Sequence, residues 1–322
     1  MNKILVKNLD DTSPFWHSPA FEGAFWKIFS CAAFAGINGI VRYFSKGSVD
    51  GSIEVLPVNV MMFFQNIFGA LFLLPWVFKG GITQLKTQYP TWHVLRIVTA
   101  VLGIYLWYLS LQRMPIAEGV ALTFTGPIFT VIAAWFLLSE KLTLKRSIAI
   151  FLCISGAFII SRPDLAFQGD TQSVGFAVLF PLGSALVLAL SKVFTRKLGN
   201  LGEKPTTLAI YLLVGMVPVS LLPAVYEWVN PKLVHWPWLI VLGFLAAAAH
   251  LSFAKAYQLA EVTFLTPFGF SKFFLSMLVG YYLFGELPTE SLWIGTLVIF
   301  SGILILSYRI PLYSMAKRLR SN

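Results

Sequence analysis

Apolar residues run through this chain in blocks of about twenty, the length that crosses a ~30 Å hydrocarbon core as a helix. Ten spans are predicted, at residues 25–45, 58–78, 92–112, 117–138, 146–162, 175–195, 207–227, 236–258, 262–284 and 291–310. The breaks between them carry turn chemistry, as at Lys46-Gly47-Ser48, Lys79-Gly80-Gly81, Arg162-Pro163-Asp164 and Asn230-Pro231. None is long enough to hold a folded soluble domain. Pro75, Pro127, Pro181, Pro218, Pro223 and Pro267 fall inside predicted spans, where neighbouring helices satisfy the carbonyls that proline frees. The expected fold is all-α and integral to a membrane. Residues 1–24, with Asp10, Asp11, Pro14, His17, Pro19 and Glu22, read as a polar tail. They lack the charged start and short apolar core of a cleaved signal. Residues 311–322 read as a second, basic tail.

Sliding the chain on itself by 146 positions lays Gln112 on Gln258, Glu140 on Glu286, Thr143 on Thr289 and Gly156 on Gly302. These coincidences fall at the same places in the span map, so the ten spans divide into two sets of five, 25–162 and 175–310. Five is odd, so the two sets insert in opposite directions. Inverted repeats of this kind build the two access states of many secondary transporters around a midplane site.

Composition agrees with the pattern. Hydrophobic residues make up 57% of the chain and charged residues 12%, against about 25% charged in a soluble domain. The net charge of +10 is spread over short loops, which excludes a nucleic-acid-binding face and points to membrane orientation. With the N-terminus cytosolic, 15 Lys and Arg fall on the cytosolic side and 5 (Arg42, Lys46, Arg113, Arg162 and Lys232) on the other. That is the positive-inside bias. Both termini are then cytosolic. Cys31 and Cys153 lie within apolar blocks and read as small packing residues. The four histidines are scattered, and no HExxH, P-loop or Gly-rich dinucleotide pattern appears. Catalysis, a metal and a cofactor are therefore not expected.

Gly119 through Glu140 (GVALTFTGPIFTVIAAWFLLSE), and again Thr266 through Gly302 with its Gly285-Glu286 step, resemble the EamA-type repeat of the drug/metabolite transporter superfamily. The resemblance spans about residues 25 to 310. It implies a ten-helix bundle in a bacterial inner membrane, with a central cavity lined by the third, fourth, eighth and ninth spans, joined by the first and sixth. The Thr-Phe-Thr-Gly-Pro run (123–127) and the Phe-Gly-Glu-Leu-Pro run (284–288) are most similar to a subgroup that includes S-adenosylmethionine and riboflavin uptake carriers. Where that subgroup often reads Pro-Phe-x-Tyr-x-Arg, this chain has Pro267-Phe268-Gly269-Phe270-Ser271-Lys272. The cation is kept and the phenol is lost.

Charges inside spans are costly and usually face a cavity or a partner. Arg96, Lys192 and Lys255 sit in the cytosolic third of their spans, where long stems reach the headgroups. Lys272 lies about ten residues into its span, ~15 Å deep at 1.5 Å per residue, with Gly269 and Ser276 on the same face. It is the leading candidate to bind a carboxylate or phosphate. His250 is the candidate proton carrier. Trp107, Tyr108, Phe124, Phe253, Tyr257 and Phe270 are candidates to stack on a flat ring. Thr123, Asn38 and Gln258 are candidate polar contacts. Glu118 and Glu261 fall at span ends and read as solvated, and Glu140 and Glu286 as caps of the helices that follow. The function expected is a secondary carrier for S-adenosylmethionine or another zwitterionic or aromatic metabolite. Riboflavin or an amino acid is the alternative cargo. A channel or scaffold is the alternative class, though no ring of like charge or filter loop is visible. The partners expected are the lipid bilayer and a small-molecule substrate, with a homodimer as a further option.

Overall fold

A computed structural model of the chain describes residues 19–46, 55–79, 87–138, 143–162, 175–203, 205–260, 262–265 and 267–307. Glu140, Glu261, most of the N-terminal tail and all of the C-terminal tail lie outside the described residues. The described elements are helices α1 (Pro19–Lys46), α2 (Val58–Lys79), α3 (Pro90–Arg113), α4 (Ile116–Thr123), α5 (Gly126–Leu138) and α6 (Leu144–Ser161). After a 3-10 turn at Gly175–Val178 come α7 (Leu179–Asn200), α8 (Pro205–Tyr226), α9 (Trp236–Leu259) and α10 (Val262–Leu265). A second 3-10 turn, Pro267–Phe270, leads into α11 (Ser271–Phe284) and then α12 (Glu290–Ser307). There is no strand among the described residues. Among the described residues five stretches are long and apolar enough to cross a membrane, namely Pro19–Ser45 of α1, α3, Ile116–Ala133, Phe176–Asn200 and α9. Shorter apolar helices make up the rest of the bundle.

Local chemistry sets the ends. Pro90 opens α3 at a position where its missing N–H costs nothing. Thr143 caps α6, its side chain accepting from the Arg146 N–H. Gly285 closes α11 with φ +64°, a conformation glycine adopts freely. The Gly285 N–H donates to Tyr281 O and the Glu286 N–H to Gly280 O, so the chain doubles back over the last turn of α11. A Cβ at Gly280 would lie 2.7 Å from the Glu286 carboxylate. Two glycines thus hold Glu286 against the bundle.

The predicted span 117–138 is not one helix. It breaks at Phe124-Thr125 between α4 and α5, because Pro127 has no N–H and its ring crowds the carbonyl four residues back. The Thr123 and Thr125 hydroxyls bond back to Val120 O and Leu122 O, each at 2.7 Å. The span 262–284 is interrupted in the same way, with Lys272 in the first turn of α11 rather than mid-helix.

The helices pack across the two halves of the chain. α1 lies on α9, α3 on α7, α6 on α12, α1 on α11 and α5 on α7. Small residues let them approach: Cβ atoms on Gly156 and Gly302 would fall 2.6 Å from Gly295 O and 3.0 Å from Ala149 O. The Cys153 thiol reaches Ile299 O at 3.6 Å. Ser30 donates to Ala249 O at 2.9 Å, and Ser184 to Gly103 O at 2.7 Å.

Candidate functional site

Lys272 follows the break before α11, and its position sets the site. Its amine lies 5.4 Å from the Phe34 ring and 5.3 Å from the Trp107 ring. The Trp107 indole N–H donates to Asn38 Oδ1 at 3.1 Å, and the Asn38 amide donates to the Ser276 hydroxyl at 3.3 Å. One polar chain therefore ties α3, α1 and α11 together beside the lysine. Such a chain, satisfied inside a bundle, holds its members in fixed orientation. Phe124 and Phe270, at the two breaks, meet with centroids 4.6 Å apart.

On the same face of α1 lies Lys27, only 7% exposed. Its amine donates to the Tyr257 hydroxyl at 3.3 Å and sits 4.2 Å from the Phe253 ring centroid. A Cβ on Gly269 would touch Cε of Lys27 at 3.7 Å, which places this stem within three residues of Lys272 along the chain.

Beside this cluster a cavity of about 460 Å³ opens between α2, α3, α7, α8 and α9, within the range of small-molecule sites. Its polar wall includes Gln65, Asn66, Arg96, Ser191, Lys192, Thr195 and His250. Lys192 and His250 are exposed although they lie well inside α7 and α9, so their accessible surface is cavity wall. His250 also meets Phe34 edge-on at 5.7 Å, which joins the cavity to the ring under Lys272.

The opposite end of α3 is bridged by an ion pair. Arg42 is 4% exposed and pairs with Glu286. The guanidinium also donates to Leu111 O and Met114 O, and the Ile116 N–H donates to Glu286 at 2.8 Å. One ion pair thus binds the ends of α1, α3 and α11 to the start of α4. Arg96 lines the cavity and Leu111 receives Arg42, about 20 Å apart along α3 at 1.5 Å per residue.

Family models and relatives agree on what this arrangement belongs to. The EamA-like transporter family matches residues 22–162 and again 175–308. The chain belongs to the EamA-like transporter family. This EamA-like chain is 34% identical over 287 residues to a riboflavin transporter of Vibrio cholerae, covering 88% of this chain and 91% of that one. It is 30% identical to a riboflavin transporter of Rhizobium johnstonii, covering 94% and 96%. An S-adenosylmethionine uptake transporter of Rickettsia prowazekii is 26% identical, covering 76% and 81%. A solved crystal structure at 17% identity shares the fold with a TM-score of 0.59, covering 94% of this chain and 98% of that one. The chain is accordingly a multi-pass membrane protein and a small-molecule transporter.

In this EamA-like transporter the expected site residues divide. Lys272, Trp107, Asn38, Phe124 and Phe270 come together, with Phe253 and Tyr257 at Lys27 and His250 on the cavity wall. Tyr108 does not join them: it is 1% exposed and its hydroxyl donates to Gln65. The next residue along a helix points about 100° away, so Tyr108 holds a cavity residue from behind. Thr123 bonds to its own helix, and Gln258 is exposed one residue before the end of α9. Arg96 does not reach for headgroups; it is buried and donates to Leu208 O at 2.8 Å. Lys255 is exposed and pairs with Glu22 at 2.9 Å. Glu118 is buried rather than solvated, because α4 turns inward. Glu286 caps α4, not the helix that follows it. Gln65, Asn66 and the Arg42–Glu286 pair were not singled out from the sequence. The first two were visible there as neutral polar residues inside an apolar block, whereas the pair joins positions 244 apart.

Proposed function

We propose that this protein is a secondary carrier that moves a small organic metabolite with a flat ring by alternating access between two inverted five-helix repeats. The observation that carries this reading is the cavity open along one half of α3 while Arg42 and Glu286 bridge its other end. A channel needs a continuous path, and a latch across one end supports a carrier held in one of two states. The repeats draw support from contacts that recur under exchange of the halves. Gly156 faces Gly295 as Gly302 faces Ala149. Phe124 meets Phe270, and Cys153 meets Ile299, each pair 146 positions apart. Ser30 bonds Ala249 as Ser184 bonds Gly103.

In this reading both termini are cytosolic, the protein sits in a bacterial inner membrane, and the cavity faces the cytosol. Lys272 and Trp107 contact the solute. Riboflavin, named for two relatives, is the first solute to test. S-adenosylmethionine, named for the Rickettsia relatives, is the second, and amino acids follow. Purified protein in liposomes is expected to take up one of these saturably and competably, and Lys272→Ala to lower uptake at least tenfold with insertion unchanged. Non-saturating flux sinks the carrier reading, and wild-type uptake by a well-inserted Lys272→Ala removes that residue from the mechanism.

A further inference from the structure

Among the described residues the site holds three lysines and no acid to match them. Lys27 on α1, Lys192 on α7 and Lys272 on α11 each lie within electrostatic reach of the other two. Among the described residues the ion pairs join Arg42 to Glu286, His93 to Glu203 and Lys255 to Glu22. None involves these lysines. Rings take the place of carboxylates: Phe253 and Tyr257 lie under Lys27, and Phe34 and Trp107 under Lys272. Ring faces attract a cation but do not neutralise it. The cavity wall adds unspent donors, since Asn66 Nδ2 and Arg96 Nε are buried without a partner. Like charges gathered in one small space are unfavourable, and a buried charge such as that of Lys27 is as a rule paired. Among the described residues this cluster has no counter-charge.

We infer that the solute supplies it: the cargo is an anionic aromatic metabolite, a flat ring carrying a phosphate or carboxylate that Lys27, Lys192 and Lys272 receive. This inference rests on the carrier reading above. The anion occupies the space between α1, α7 and α11, and the ring lies against Trp107 and Phe34. A cationic solute, such as one bearing a sulfonium, is disfavoured because it adds a like charge.

The test uses purified protein and two matched ligand pairs, riboflavin against its 5′-phosphate and indole-3-ethanol against indole-3-acetate, titrated by isothermal calorimetry. The pairs separate phosphate from carboxylate as the source of charge. At least one anionic member is expected to bind about tenfold or more tightly than its neutral partner, with a preference that shrinks as salt rises. Lys192→Gln and Lys272→Gln each bring that ratio toward one, and Lys272→Arg restores it. Equal or tighter binding of the neutral member in both pairs overturns the inference. Saturable uptake of neutral riboflavin in that case leaves the carrier reading standing. Absence of binding by all four ligands overturns the inference, and absence of saturable uptake of any solute overturns the carrier reading as well.

Discussion

Trp107 does two jobs with one side chain: its ring faces the Lys272 amine and its N–H fixes Asn38. Replacing it with phenylalanine keeps a ring but leaves Asn38 Oδ1 without that donor, a loss of about 1–3 kcal/mol for a buried acceptor. Trp107→Phe is expected to lower the melting temperature in detergent and to weaken solute binding together. A fall in binding with unchanged melting would separate the two roles. Lys272 and Asn38 stood out in the sequence because a charge or amide in an apolar block is costly and seldom accidental. Tyr108 shows where that kind of reading stops. Which of two neighbouring aromatics faces a cavity depends on the rotation of the helix about its axis, and an apolar block without a polar stripe does not set it. Arg42 reads as a loop cation in the sequence for a related reason, since its partner Glu286 is distant along the chain.

At the scale of elements, the apolar helices are legible from length and hydropathy, but the breaks within two of the predicted spans are not, although Pro127 lies inside one. Proline in a membrane helix sometimes kinks it and sometimes parts it, depending on what satisfies the freed groups. Here the Thr123 and Thr125 hydroxyls donate to Val120 O and Leu122 O at the end of α4. Pro127→Ala restores the N–H and removes the ring, so α4 and α5 are expected to join. Turnover in liposomes should then fall severalfold while melting temperature holds or rises; unchanged turnover would remove the break from the transport cycle. The latch calls for a double-mutant cycle. Arg42→Ala leaves Glu286 without its cation, and breaking a buried pair from one side costs about 3–5 kcal/mol. The Arg42→Ala/Glu286→Ala double variant is expected to melt higher than the sum of the single effects allows. Additive losses would mean that the pair does not act as a unit.

For the whole molecule, the recurring contacts between halves make a quantitative demand. Gly156→Val and Gly302→Val crowd the same α6–α12 seam at two places, so each is expected to cost about 1–3 kcal/mol and to shift melting by a similar amount. A large difference would show that the seam is not repeated in energy as it is in geometry. The direction of opening is tested with Thr195→Cys, placed on the cavity wall, which a membrane-impermeant thiol reagent should label from the cytosolic face; labelling only from the other face would reverse the orientation. The serine bonds that tie α1 and α7 to their partners carry one more consequence. Ser184 follows Ser30 by 154 positions, and the same step takes Asn38 to Lys192. Likewise, 146 positions before Lys272 stands Gly126. In the proposed two-repeat arrangement the helices are doubled, but these two charges are not. On the proposed carrier reading, a device with matched arms and unmatched weights does not balance at its midpoint, and it is expected to have a preferred resting face when empty.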